Sequence, residues 1–136
     1  MKTLKRDKRF IEVTEKGGSI VLTIQPFEYD GGNPRLPRKR SDGYDLKGDT
    51  QRCFADALKH LNVDTSQRYT VEIHVHQGSD GLGGADLDNY SKAILDGVTS
   101  TKRIWADDKQ VDELHVKRLN SQENKSKMVV TISPLS

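Results

Sequence analysis

Two short stretches concentrate the residues able to do chemistry: Asp86-Leu87-Asp88-Asn89-Tyr90-Ser91-Lys92-Ala93-Ile94-Leu95-Asp96, and Asp107-Asp108-Lys109-Gln110-Val111. Asp86 and Asp88 stand two apart, so on an extended chain their carboxylates point to the same side. Asp88, Lys92 and Asp96 follow one another at i, i+4 spacing and share one face of a helix. Carboxylates drawn together repel unless they are protonated or a cation lies between them. Their oxygens are hard donors, which suits Mg2+ or Mn2+ rather than zinc. Such an ion lowers the pKa of a bound water and neutralises charge on a phosphate under attack. Lys92, one turn beyond the carboxylate pair, adds positive charge near the developing transition state. No convincing nucleophile triad accompanies these residues, so water is the attacker that this pattern supports.

Taken singly, each piece is more often structural. Asp-x-Asp before a helix is commonly an N-cap plus a turn residue, and Asp107-Asp108 is an ordinary pair for a loop. The combination with Lys92 tips the balance towards a metal site. Charge distribution points the same way. Lys2, Lys5, Arg6, Lys8 and Arg9 face a single acid, Asp7, and Arg35, Arg38, Lys39 and Arg40 form a second basic group. The acids concentrate between Asp80 and Glu113, a separation that the net charge of +2 hides. Separate basic and acidic regions suit a polyanion-binding surface around an acidic metal site, although charge runs alone are more often solvated faces. His74 and His76, with His115 elsewhere, lack a further ligand at zinc spacing and read as surface residues. Trp105 reads as packed against the motif helix, in preference to stacking on a nucleobase.

The elements that must carry these residues follow from periodicity. A short strand is expected over residues 9–15, then a turn at Gly17-Gly18, then a strand in which Ile20, Leu22 and Ile24 face the core until Pro26. Residues 27–48 read as a long loop holding the second basic group, which makes phosphate contact a reasonable role for it. Asp49 or Thr50 caps a helix reaching about Leu61, with Phe54, Ala57, Leu58 and Leu61 as its apolar stripe. Cys53 lies on that helix as a small, partly buried residue; as the only cysteine it forms no intramolecular disulfide.

Residues 69–76 alternate, with Val71, Ile73 and Val75 inward and Glu72, His74 and His76 outward. After the glycine-rich turn at 78–84, Asp88 caps a helix bearing Tyr90, Ala93, Ile94 and Val98. Residues 111–119 and 128–133 read as strands joined by the polar loop 120–127, a spacing that predicts a β-hairpin. The expected architecture is α+β: one domain, a mixed β-sheet packed with two main helices and closed by a C-terminal β-hairpin. Residues 1–18 read as a basic N-terminal extension and 19–136 as the domain.

The 136 residues, 33% hydrophobic and 31% charged, suffice for one modest core and a very polar surface. No apolar run approaches the roughly 20 residues of a membrane span, and no signal-peptide pattern follows the charged start. A cytoplasmic protein is the expectation.

The order and spacing of Asp86-Leu87-Asp88-Asn89, Lys92-Ala93, Leu95-Asp96 and Trp105-Ala106-Asp107-Asp108-Lys109-Gln110-Val111 resemble the RusA family of Holliday junction resolvases, many of them encoded by phages or prophages. The likeness runs from about Ser19 to the C-terminus. It implies a Mg2+-dependent (or Mn2+-dependent) endonuclease that resolves four-way DNA junctions by paired nicks. Asp86, Asp88 and Asp108 would be the catalytic, metal-binding carboxylates, Asp107 a helper and Lys92 the catalytic lysine. Asn89 and Asp96 would be structural. Lys117 and Arg118 resemble basic positions that meet the DNA backbone. The resemblance also implies a homodimer, since two strands are cut symmetrically. Family members often carry basic residues just before the first aspartate, where this chain has Gly78-Ser79-Asp80-Gly81-Leu82-Gly83-Gly84-Ala85. The loop with Arg35, Arg38, Lys39 and Arg40 is the expected substitute. Two alternatives stay open: a junction-binding protein with little cleavage, and a general metal-dependent nuclease acting on flap or branched nucleic acid.

Overall fold

The computed structural model describes residues 11–24, 28–30, 33–35, 46–79, 87–120, 123 and 126–135. Strands β1 (Ile11–Lys16) and β2 (Ser19–Ile24) form a hairpin closed by Gly17 and Gly18. Both glycines have positive φ, 58° and 85°, the conformation that lets a two-residue turn follow the twist of its strands. Of the stretch read as a basic extension, residues 11–16 are thus a strand of the sheet, and Ile11 is part of the core. The expected loop 27–48 contains a second small hairpin, β3 (Glu28–Asp30) with β4 (Asn33–Arg35). Helix α1 (Leu46–Leu58) starts ahead of the expected cap at Asp49 or Thr50 and ends three residues short of Leu61.

Strand β5 (Tyr69–Gln77), helix α2 (Leu87–Thr101), a 3-10 turn (Asp108–Gln110) and strands β6 (Val111–Asn120) and β7 (Lys127–Pro134) complete the chain. The five-stranded sheet has the order β1-β2-β7-β5-β6. β5 runs parallel to β6 and antiparallel to β7, so the sheet is mixed, and α2 lies on the crossover that a parallel pair requires.

The predicted C-terminal hairpin is corrected: β5 inserts between β6 and β7, and the two do not pair. The reason lies in which strand tolerates an edge. β5 pairs with β6 on one side and with β7 on the other, while its Tyr69, Val71, Ile73 and Val75 face the core. β6 carries Asp112, Glu113, His115, Lys117 and Arg118 exposed and suits an edge, where charge discourages stray pairing. β7 alternates buried Met128, Val130 and Ile132 and sits inside.

One face of the sheet meets both helices. Leu22, Ile24, Val71, Ile73, Val130 and Ile132 share a single core cluster with Phe54 and Leu58 of α1 and Tyr90, Ile94 and Val98 of α2. The alternate residues, Glu72 and Thr131 among them, point to the other face and are exposed or half-buried. The two helices approach closely at Gly97, where a side chain would collide with the ring of Phe54. Cys53 is fully buried here, not partly.

Candidate active site

Helix α2 buries Tyr90, Ile94, Gly97 and Val98, spaced at i, i+4, i+7 and i+8. The opposite stripe, Asp88, Lys92 and Asp96, is therefore exposed. Each step along it rises by roughly 6 Å. The helix begins at Leu87, so Asp88 stands inside the first turn and is not the cap that the sequence suggested. There its carboxylate complements the positive end of the helix dipole.

The chain leaves α2 through a tightly specified turn. Lys102 adopts a left-handed φ of 56°, which ends the helix. Ile104 follows with a φ of 65°, and Trp105 N donates to Arg103 O at 2.6 Å across it, the bond of a γ-turn. Positive φ at a β-branched residue costs on the order of 1–3 kcal/mol and persists only where surroundings over-determine it. They do so here. Ile104 is buried, and its carbonyl accepts from Tyr69 Oη at 3.1 Å and from Asp64 N at 3.0 Å. Trp105 is fully buried as well, as expected: Nε1 donates to Thr99 Oγ1 of α2 at 2.8 Å, and the ring lies 5.7 Å from that of Tyr69.

Asp107 then caps the 3-10 turn. Its Oδ1 accepts from Lys109 N at 2.9 Å and its carbonyl from Gln110 N at 3.0 Å. The Lys109 N–H chiefly holds the Asp107 carboxyl below the usual carboxylate range. Asp108 is shifted the other way. Partial burial raises its pKa first, followed by its hydrogen bond with Asp107 and the charges of Asp107 and Asp96, against which Lys109 acts. Opposite shifts are what two neighbouring carboxyls show when one of them holds the better hydrogen bonds.

Asp108 thus lies within electrostatic reach of both Asp107 and Asp96. Among the described residues, Asp88 and Asp108 share no hydrogen bond, and no group of three or more His, Cys, Asp or Glu side chains could hold a metal ion. Asp86 lies outside the described residues, so the expected set Asp86, Asp88 and Asp108 is not complete among them. The donors that are present are hard carboxylate oxygens, which fit Mg2+ or Mn2+ chemistry.

The family model described as endodeoxyribonuclease RusA matches residues 52–133, more than half of the chain. The chain belongs to the RusA family. The matched span contains β5, the α2 stripe, the Trp105–Gln110 segment, β6 and most of β7. No curated protein matches the chain.

Other positions expected from the RusA resemblance are placed unevenly. Lys117 and Arg118 are exposed on the edge strand β6. Arg35 lies on β4, while Arg38, Lys39 and Arg40 fall outside the described residues. Asp96, expected to be structural, is exposed on α2, and its charge acts on Asp108. Gln110 was quoted only as part of the motif, and nothing local marks it; its burial and three hydrogen bonds are tertiary facts. No described helix is long and apolar enough to cross a membrane.

Proposed function

We propose that this protein is a Mg2+-dependent endodeoxyribonuclease that resolves four-way DNA junctions by paired nicks, acting as a homodimer. The observation that carries the reading is that the RusA match covers both the exposed Asp88-Lys92-Asp96 stripe and the anchored Asp107-Asp108 turn. Asp86, Asp88 and Asp108 would hold the ion with help from Asp107, and Mn2+ would substitute for Mg2+. When bound, the ion supplies an acidified water and charge neutralisation at the scissile phosphate. Lys92 adds a fixed positive charge for the pentacovalent transition state. Lys117 and Arg118 on β6, with the basic group Arg35, Arg38, Lys39 and Arg40, grip phosphates of the junction arms without reading sequence.

The test is cleavage of a synthetic four-way junction with Mg2+ and with chelator, beside flap, duplex and single-stranded controls. Nicks in paired strands, stopped by chelation, are expected. Asp88→Asn should keep junction binding and lose cutting, because an isosteric amide leaves the basic contacts intact. Tight binding without product would assign a junction-binding protein. Equal cutting of every substrate would assign a general nuclease. A folded sample that cuts no branched DNA with either metal ends the proposal.

A further inference from the structure

We infer that Gln110 and Tyr69 are positioning residues that fix the Asp107-Asp108 turn from both ends; the inference rests on the nuclease reading above. Gln110 is one of the few buried polar side chains among the described residues. Its Nε2 donates to Asp64 O at 2.7 Å and to Gln67 O at 2.9 Å, and its Oε1 accepts from Ala106 N at 2.9 Å. Both amide protons and the carbonyl are thus engaged. One carboxamide ties the segment before Asp107 to the loop that leads into β5. Only glutamine offers this pattern at this length: glutamate lacks the two donors, and methionine leaves two carbonyls and one N–H unmet.

The same loop holds the other flank. Tyr69 Oη and Asp64 N both donate to Ile104 O, at the strained γ-turn. Arg68 adds a third tie, donating to Lys109 O at 2.9 Å and to the Asp112 carboxylate. Residues 104–110 are therefore bonded at both ends to residues 64–69, an arrangement that leaves Asp108 at the apex of a held turn. Within this segment Ile104, Trp105 and Gln110 are buried and only Asp107, Asp108 and Lys109 are exposed, so the buried ends anchor the exposed acids. Strain kept in place by redundant bonds is characteristic of sites where a side chain must not wander. An error of about 1 Å in placing a catalytic group costs up to about a hundredfold in rate.

The experiment uses the full chain with Gln110→Met and Tyr69→Phe, plus Val130→Ala in β7 as a control for lost stability. Cleavage rate, Mg2+ concentration for half-maximal rate, junction affinity by gel shift in chelator, thermal midpoint and amide hydrogen exchange over 104–110 are measured. For Gln110→Met the expected result is a rate at least about tenfold lower and a higher Mg2+ requirement. Junction affinity should stay within about twofold, and exchange over 104–110 should be faster without metal. Tyr69→Phe, which removes one bond and keeps the ring, should show the same pattern more weakly. Val130→Ala should lower the midpoint and leave the Mg2+ requirement alone.

If folded Gln110→Met cuts with the wild-type rate and metal requirement, the inference is overturned while the nuclease reading stands. The inference also fails if all three variants lose binding and cutting in step with their midpoints. Should Gln110→Met not fold, wild-type behaviour of Tyr69→Phe overturns it. A wild-type chain that does not cut removes the nuclease reading and this inference with it.

Discussion

Substituting Gly97 by alanine isolates the contact that seats α2, and with it the Asp88-Lys92-Asp96 stripe, on the rest of the molecule. In an exposed helix the change would stabilise by about 1 kcal/mol, because alanine is the better helix former. Here a Cβ would meet three ring atoms of Phe54, all under 3.0 Å, and ordinary contact begins near 3.4 Å. The ring edge would have to retreat by about an ångström. Phe54 is fully buried in the cluster that joins both helices to the sheet, so retreat means parting α1 from α2.

Overpacking of this kind costs about 1–3 kcal/mol. With the clash on a buried ring placing it at the upper end, the net loss is about 2 kcal/mol. For a chain of this length that lowers the thermal midpoint by roughly 6–10 °C. Phe54→Leu, which withdraws the ring, should rescue Gly97→Ala, leaving the double variant at least about 1 kcal/mol more stable than the sum of the single changes. Calorimetry or urea unfolding of the four proteins measures this cycle. A Gly97→Ala protein as stable as the parent or more so, or a cycle with no coupling, would refute the packing argument.

Tyr69 carries a second prediction. Burial first, and the charge of Asp64 second, raise its pKa above the usual phenol value. Tyr69 should ionise above the ordinary phenol range in an ultraviolet titration, and subtracting the titration of Tyr69→Phe should isolate its contribution. The unfolded chain loses this proton first, so stability should fall as pH rises above about 10; urea midpoints independent of pH there would contradict the assignment. Junction affinity should weaken steeply with salt, and Lys117→Ala should reduce the slope of log K against log[salt] by about 1. An unchanged slope would remove Lys117 from the phosphate contacts.

Local periodicity was enough to locate most of the secondary structure. The alternation in residues 69–76 and 128–133 marked the inward faces of β5 and β7, and the Tyr90, Ile94, Val98 spacing marked the buried side of α2. It also placed Asp88, Lys92 and Asp96 on one exposed stripe, since a helix that buries one side must present the other. Trp105 was read as packed, and it is.

Strand order lay beyond such reasoning. Alternation says which face of a strand is apolar, not which strand lies beside it, and a short loop between β6 and β7 favoured a hairpin that β5 displaces. The order is set by the pairing of β5 with β6 on one side and β7 on the other, a property of the assembled sheet. The same holds for the turn that bears Asp108. Its acids were legible as a motif, but the bonds from Gln110, Tyr69 and Asp64 join residues some forty positions apart. Residue types and spacings are written along the chain; the partners that hold them still are chosen only when distant segments meet and every buried donor and acceptor must be satisfied.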